Sequence, residues 1–308
     1  IIMQEINTNH IDSFDDELDI KELFLALLKR IKLIFLITTA SAILSVVYAL
    51  SLPNMYTSNA LLAVANEKSS LSSQLGSYSA LAGMAGVSLP SSGNNKSTEA
   101  VARIKSFNFF SNHFLPFINL EDLFAVSKWV PEGNYLLYDD KLFNKSKEKW
   151  VRNKSPIVPS NQEAYEIYQK ILSISENKKT LFVSLSIEHH SPHIAKEWVD
   201  IIIKNINESM RSANMEISSN SINFLKERSQ TTNFKEIRDA ITQLLQSQMQ
   251  SLMLASVSES YVYKILNSPI APEKKSSPGR ALICFFGTLI GLLAAMFLAM
   301  LMHFREKN

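Results

Sequence analysis

The sequence predicts an α+β membrane protein, in which two transmembrane helices flank an exported α/β domain carrying one long projecting helix. Three observations lead there. Two uncharged apolar stretches, 33–52 and 281–303, lie at opposite ends of the 308-residue chain, and a membrane-spanning helix needs about 20 such residues at roughly 1.5 Å rise each. Between them, stretches of alternating apolar and polar residues adjoin stretches of helical period. After Pro192 the chain runs to Tyr261 without another proline or glycine.

Taken in order, residues 1–32 form a cytoplasmic tail. Its acidic run (Asp12, Asp15, Asp16, Glu17) reads as solvated, and Ile20, Leu23, Phe24, Leu27, Leu28 and Ile31 recur at helical spacing behind Asp19 and Glu22, which are placed as a cap and its partner. Lys29, Arg30 and Lys32 stand just before the first span and no basic residue follows until Lys68, which puts the N-terminus in the cytoplasm. Parity then returns the tail 304–308 to the same side. Pro53 and Asn54, rather than an A-x-A site, follow the first span, so it is not read as a cleaved signal peptide.

The exported domain, 53–280, opens with a strand over 55–66. A Ser-, Gly- and Ala-rich loop follows over 69–97, and Leu75, Leu81 and Met84 mark packing positions in it. Residues 98–110 are helical in pattern. From 113 to 159 the chain is aromatic and proline-punctuated, and Trp129, Tyr135, Tyr138 and Trp150 read as packing rings rather than as sugar platforms. A helix over 162–174 and a half-buried strand over 180–188 precede Ser191 and Pro192, a cap followed by a first-turn proline. A continuous helix over 192–261 would be about 100 Å long. Such a rod must project, and its stripe of Phe234, Ile237, Ile241 and Leu244 must meet another helix. The pattern thins between Ser218 and Asn233, where a bend or short break is expected. A closing strand over 261–266 is expected to pair with 55–66. Pro269, Pro272 and Pro278, with Gly279, then make the segment 269–279 a stiff, non-helical joint before the second span.

A net charge of +2 and a pI near 8.5 give no basic field of the kind nucleic-acid binding needs. The single cysteine, Cys284, lies in the second span, so the exported domain has no disulfide. Neither G-x-x-x-x-G-K-[ST] nor G-x-G-x-x-G occurs, and no serine sits in G-x-S-x-G. His189, His190 and His193 are the one cluster suggestive of a metal, but the helix start at Ser191 and Pro192 falls among them and no third ligand stands at the usual spacing. Asp139 and Asp140 read as a solvated turn. No catalytic residue, metal or cofactor is expected. In the spans, Gly287 and Gly291 form G-x-x-x-G while Ser41, Ser45 and Ala49 repeat small residues every four positions, so the two helices are expected to touch there.

These features together resemble the bacterial polysaccharide co-polymerases, the Wzz chain-length determinant family. The resemblance rests on the lead-in 19–32, the first span ending at Pro53, "YTSNALLAV" from Tyr56, "SQLGSYSALAGMAGVSL" from Ser73, "SPHIAKEWVDIIIKNIN" from Ser191, and above all "SPIAPEKKSSPGR" directly before the second span. It implies a periplasmic α/β base near the inner membrane, a ring-shaped homo-oligomer, no enzymatic activity, and regulation of the length of polysaccharide made by a Wzy-type polymerase. Lipid-linked polysaccharide and membrane lipids are the further partners it implies. Export-type relatives often carry a tyrosine kinase, and its absence from this sequence points to lipopolysaccharide O-antigen. The alternative reading is a two-span receptor or scaffold with a ligand-sensing periplasmic domain.

Overall fold

The computed structural model describes residues 27–65 and 93–307. The acidic tail, most of the lead-in and most of the Ser/Gly loop lie outside the described residues. The chain divides into two units, one of residues 1–52 with 278–308 and one of residues 53–277.

The first unit is a helical pair. Helix α1 (Ile31–Ser51) ends as Leu52 turns extended before Pro53, a position that sterically disfavours helix. Its partner, the last helix of the chain, spans Arg280–Lys307. Both are long and apolar enough to cross a membrane.

The second unit is built on one antiparallel sheet. Strand β1 (Tyr56–Val64) is followed by helix α2 (Gly93–Ile104), which starts five residues earlier than the sequence pattern suggests and stops at Ser106, whose hydroxyl caps the next turn by accepting from the Phe109 N–H. One π turn (Phe110–Phe114) and one 3-10 turn (Leu115–Phe117) lead to α3 (Leu120–Phe124). The region 113–159, whose role the sequence leaves open, then folds into two small hairpins, β2 (Val126–Val130) with β3 (Tyr135–Tyr138) and β4 (Phe143–Asn144) with β5 (Lys149–Trp150).

Helix α4 (Asn161–Ile171) opens with a reciprocal cap between Ser160 and Glu163. It does not run to residue 174. The chain turns extended at Leu172 and forms β6 (Leu172–Glu176), which folds back on β7 (Val183–His189). The sheet order is β6-β7-β1-β8, where β8 is Tyr263–Asn267. Tyr56 faces His189 and Leu62 faces Val183 across one side of β1, and Val64 faces Tyr263 across the other. The alternation read from the sequence is realised in β7, where Val183, Leu185 and Ile187 are fully buried.

The single helix expected over 192–261 is divided at Thr232 to Phe234, at the far end of the stretch 218–233 where a bend or short break is expected. Two helices take its place, α5 (Pro192–Thr231) and α6 (Lys235–Val257), and α6 folds back along α5 as an antiparallel hairpin. Asn214 on α5 reaches Ser251 on α6, and Leu225 packs with Ile241 and Leu244 nearer the turn. The break costs little because its polar groups find partners: the Thr231 and Thr232 hydroxyls both donate to the Arg228 carbonyl, and Arg238 donates to the Thr232 carbonyl at 2.9 Å. Helix α7 is the span Arg280–Lys307 already described.

The core lies between the sheet, α2, α4 and the first half of α5. Its centre is aromatic. Phe110 and Phe114 lie 5.0 and 4.9 Å from Tyr168, and Trp198 lies 5.6 Å from Phe114 and 4.8 Å from His189, spacings at which ring edges meet ring faces.

Candidate functional site

Three places gather the residues singled out from the sequence. The first is the seam between α1 and α7. A Cβ placed on Gly287 would sit 2.4 Å from the Ser45 Cβ, and one on Gly291 2.3 Å from the Ser41 Cβ, so only glycine permits this approach. Ser41 donates its hydroxyl to the Gly287 carbonyl at 2.8 Å. Ala49 is buried, as are Ala295 and Ala299. Arg30 reaches Met302 at one end and Arg280 donates to the Leu52 carbonyl at the other, so a single antiparallel register runs the length of the pair.

The second is the hairpin α5–α6. Ile241 and Leu244 are buried against Leu225, but Phe234 is 68% and Ile237 50% exposed. The expected four-residue stripe is therefore two residues wide within the chain. Phe234 stands in the turn as the residue before α6, and Ile237 is not part of the buried cluster with Leu225. Between the apolar tip and the core, the buried residues of the seam are polar: Ser218, Ser247, Gln248 and Ser251.

The third is the base of the sheet. Met55 and Ser277 form an isolated antiparallel bridge, Ser276 donates to the Met55 carbonyl, and Ser277 donates its hydroxyl to Glu188. Of the proline segment, Pro269 is buried, and the Ile270 carbonyl accepts from Ser58. Pro278 and Gly279 belong to the other unit.

His189 lies beside this base with both ring nitrogens engaged by main chain. Nδ1 accepts from the Ser191 N–H at 3.0 Å, which makes Nε2 the donor to the Asp122 carbonyl at 2.9 Å. Burial pushes its pKa down to about 4, and burial lowers that of His190 as well. Neither nitrogen of His189 is open to a metal, and among the described residues no three His, Cys, Asp or Glu side chains are grouped to hold one. The consequence is a pH dependence. His189 is neutral in the fold while an unfolded histidine takes up a proton near pH 6.5, so its contribution is complete above about 6.5, declines as pH falls toward 4, and levels off below. The gap corresponds to roughly 3 kcal/mol at most. Thermal unfolding of the full chain in detergent should show this decline, and His189→Gln should flatten it. An equal acid slope in both proteins would mean that other groups govern it.

Asn207 is the residue that sequence reasoning missed. It is buried on α5, its Oδ1 accepts from the Val262 and Tyr263 N–H groups at 2.8 and 2.9 Å, and its Nδ2 donates to the carbonyls of Tyr263 and Ile203. One amide thereby supplies the edge against which β8 begins. Standing in sequence among Asp200, Lys204, Asn205 and Glu208, Asn207 carries no mark of its burial. An open depression lined by His193, Lys196, Glu197, Asp200 and Lys204 runs along the outer face of α5, with Trp129 at 5.9 Å from the His193 ring.

With this geometry in place, comparison with known proteins adds a partial sequence match. Residues 16–104 match the family model for Wzz, chain length determinant protein. In that segment the chain is similar to the Wzz family. It spans α1, β1 and α2, and hence the first of the two apolar helices and a central strand of the sheet. Among solved structures, a full-length bacterial polysaccharide co-polymerase is 11% identical, with a TM-score of 0.41, and the match covers 93% of this chain and 98% of that one. A fragment of WzzB, the polysaccharide co-polymerase of Salmonella Typhimurium, is 17% identical at a TM-score of 0.29, covering 73% and 100%. No curated protein sequence matches the chain. The similarity to Wzz rests on the sequence match over residues 16–104.

Proposed function

We propose that this protein regulates polysaccharide chain length without being an enzyme, as an oligomer in the bacterial inner membrane whose residues 53–280 face the periplasm. The observation that carries the reading is the match of residues 16–104 to the chain length determinant family, in a chain bearing two apolar helices that can span a bilayer. The partner in this reading is a Wzy-type polymerase with its lipid-linked product, and the product is lipopolysaccharide O-antigen. The exposed apolar residues of α6 and its turn, Phe234, Ile237, Met253 and Val257, support association between subunits, because a soluble surface gains nothing from leaving such residues in water. The proline segment 269–279 is the joint between the periplasmic domain and the second span.

Deletion of the gene should leave polymer synthesis intact and change the distribution of lengths, seen as a shifted or unclustered ladder on a lipopolysaccharide gel. Complete loss of polymer would overturn a regulatory role, and an unchanged ladder would favour the receptor reading.

A further inference from the structure

The hairpin β2–β3 presents an aromatic and aliphatic face that is left open among the described residues. Its inner side is spoken for: Trp129 packs edge-on to Tyr56 with ring centroids 5.4 Å apart, and its indole N–H donates to Asn134 at 2.9 Å. Across the ladder Val130 pairs with Tyr135 and Lys128 with Leu137, so these four side chains share the opposite side. There Tyr135 is 52% and Leu137 43% exposed. The face is held rather than loose. Asn134 takes the left-handed conformation at φ 47°, and the Tyr135 ring lies so close over Gly133 that a Cβ there would approach it to 2.7 Å.

We infer that this face is a membrane-contact surface, in which Tyr135, Leu137 and Val130 enter the headgroup region of the bilayer that holds the spans, with Lys128 at its rim. Two observations favour a lipid surface over another occupant. The first is composition: tyrosine, leucine and valine beside a lysine make the amphipathic pattern suited to the boundary between headgroups and acyl chains, where a lysine stem lies along apolar surface and its ammonium meets phosphate. The second is tethering. Trp129 fixes the hairpin to Tyr56, and only four residues, 52–55, separate Tyr56 from the end of α1, so the two ends lie at most about 18 Å apart along the chain.

The test uses the full chain with Cys284→Ser and a single environment-sensitive fluorophore on Leu137→Cys, reconstituted in vesicles of phosphatidylethanolamine with a minority of phosphatidylglycerol. The reference carries the same label on Thr232→Cys, in the turn of the helical hairpin. The label at position 137 should emit to the blue of the reference and be quenched by lipids with a nitroxide near the headgroup, irrespective of any effect on polymer length. In lipid-free detergent micelles, adding purified polysaccharide should leave it unchanged. Water-like emission and no lipid quenching at position 137 would overturn the inference, and so would a response to polysaccharide in micelles, which would assign the face to glycan. Because the readout does not involve polymer, a failed deletion phenotype and a failed lipid contact are distinguishable.

Discussion

Replacing Asn207 with leucine is expected to destabilise the central unit by roughly 2–6 kcal/mol. Leucine matches asparagine closely in size, so the loss is one of hydrogen bonding. The amide N–H groups of Val262 and Tyr263, both wholly buried residues, lose their acceptor, and the Tyr263 carbonyl loses a donor. Each buried donor left without a partner costs about 1–3 kcal/mol. Asn205→Ala provides the scale, because Asn205 is also buried on α5 but donates to a single carbonyl, that of His113. Chemical unfolding of the full-length proteins in detergent measures both. If the Asn207 variant is no less stable than the Asn205 variant, β8 is held by the sheet alone.

The second large effect is expected in the spans. With Gly287 and Gly291 both changed to leucine, α1 and α7 cannot keep their spacing, since even the first side-chain carbon at either site lies about 1 Å inside contact distance of a serine carbon. Overpacking costs roughly 1–3 kcal/mol at each site, and the Ser41 bond to the Gly287 carbonyl is lost with it. Spin labels on Leu28 and Leu301, exposed residues near one end of the pair, should report a single narrow distance in the parent protein with Cys284→Ser and a longer, broader one in the double variant. Superimposable distributions would show that the glycines are dispensable.

The spans were legible because length and absence of charge suffice to define them, and β7 because Val183, Leu185 and Ile187 alternate with exposed or half-exposed neighbours. Strand β6 was hidden, since Ile167, Ile171, Leu172 and Ile174 continue a helical spacing across a boundary marked by neither glycine nor proline. That the break expected in the long helix reverses the chain into a hairpin was hidden for a related reason. Thr232 and Asn233 are ordinary helix residues by identity, and the break is held by threonine hydroxyls and Arg238, contacts made only once the chain has turned. The middle of the seam offered no apolar stripe to read, because it buries Ser218, Ser247, Gln248 and Ser251 in place of leucines. Burial of Ile241 and Leu244 followed the period, whereas Phe234 lay beyond it, in the turn itself. Asn207 gave no warning, because an amide that stands in for a strand cannot be told from a surface amide until its partners are placed.

The paired spans also bear on a part of the protein with which they share no residue. Arg280 and Leu52, the last contact of the seam, are 228 positions apart, so the whole central unit is a loop closed at its ends. Joining the ends of so long a chain removes conformational freedom from its unfolded state, and a covalent link around a loop of this size contributes roughly 5 kcal/mol in chain-entropy terms. The sequence has one cysteine and none to pair it with. Two helices anchored in a bilayer thus act on the domain between them as a crosslink would, and loosening the glycine seam should lower the melting temperature of the sheet in the other unit.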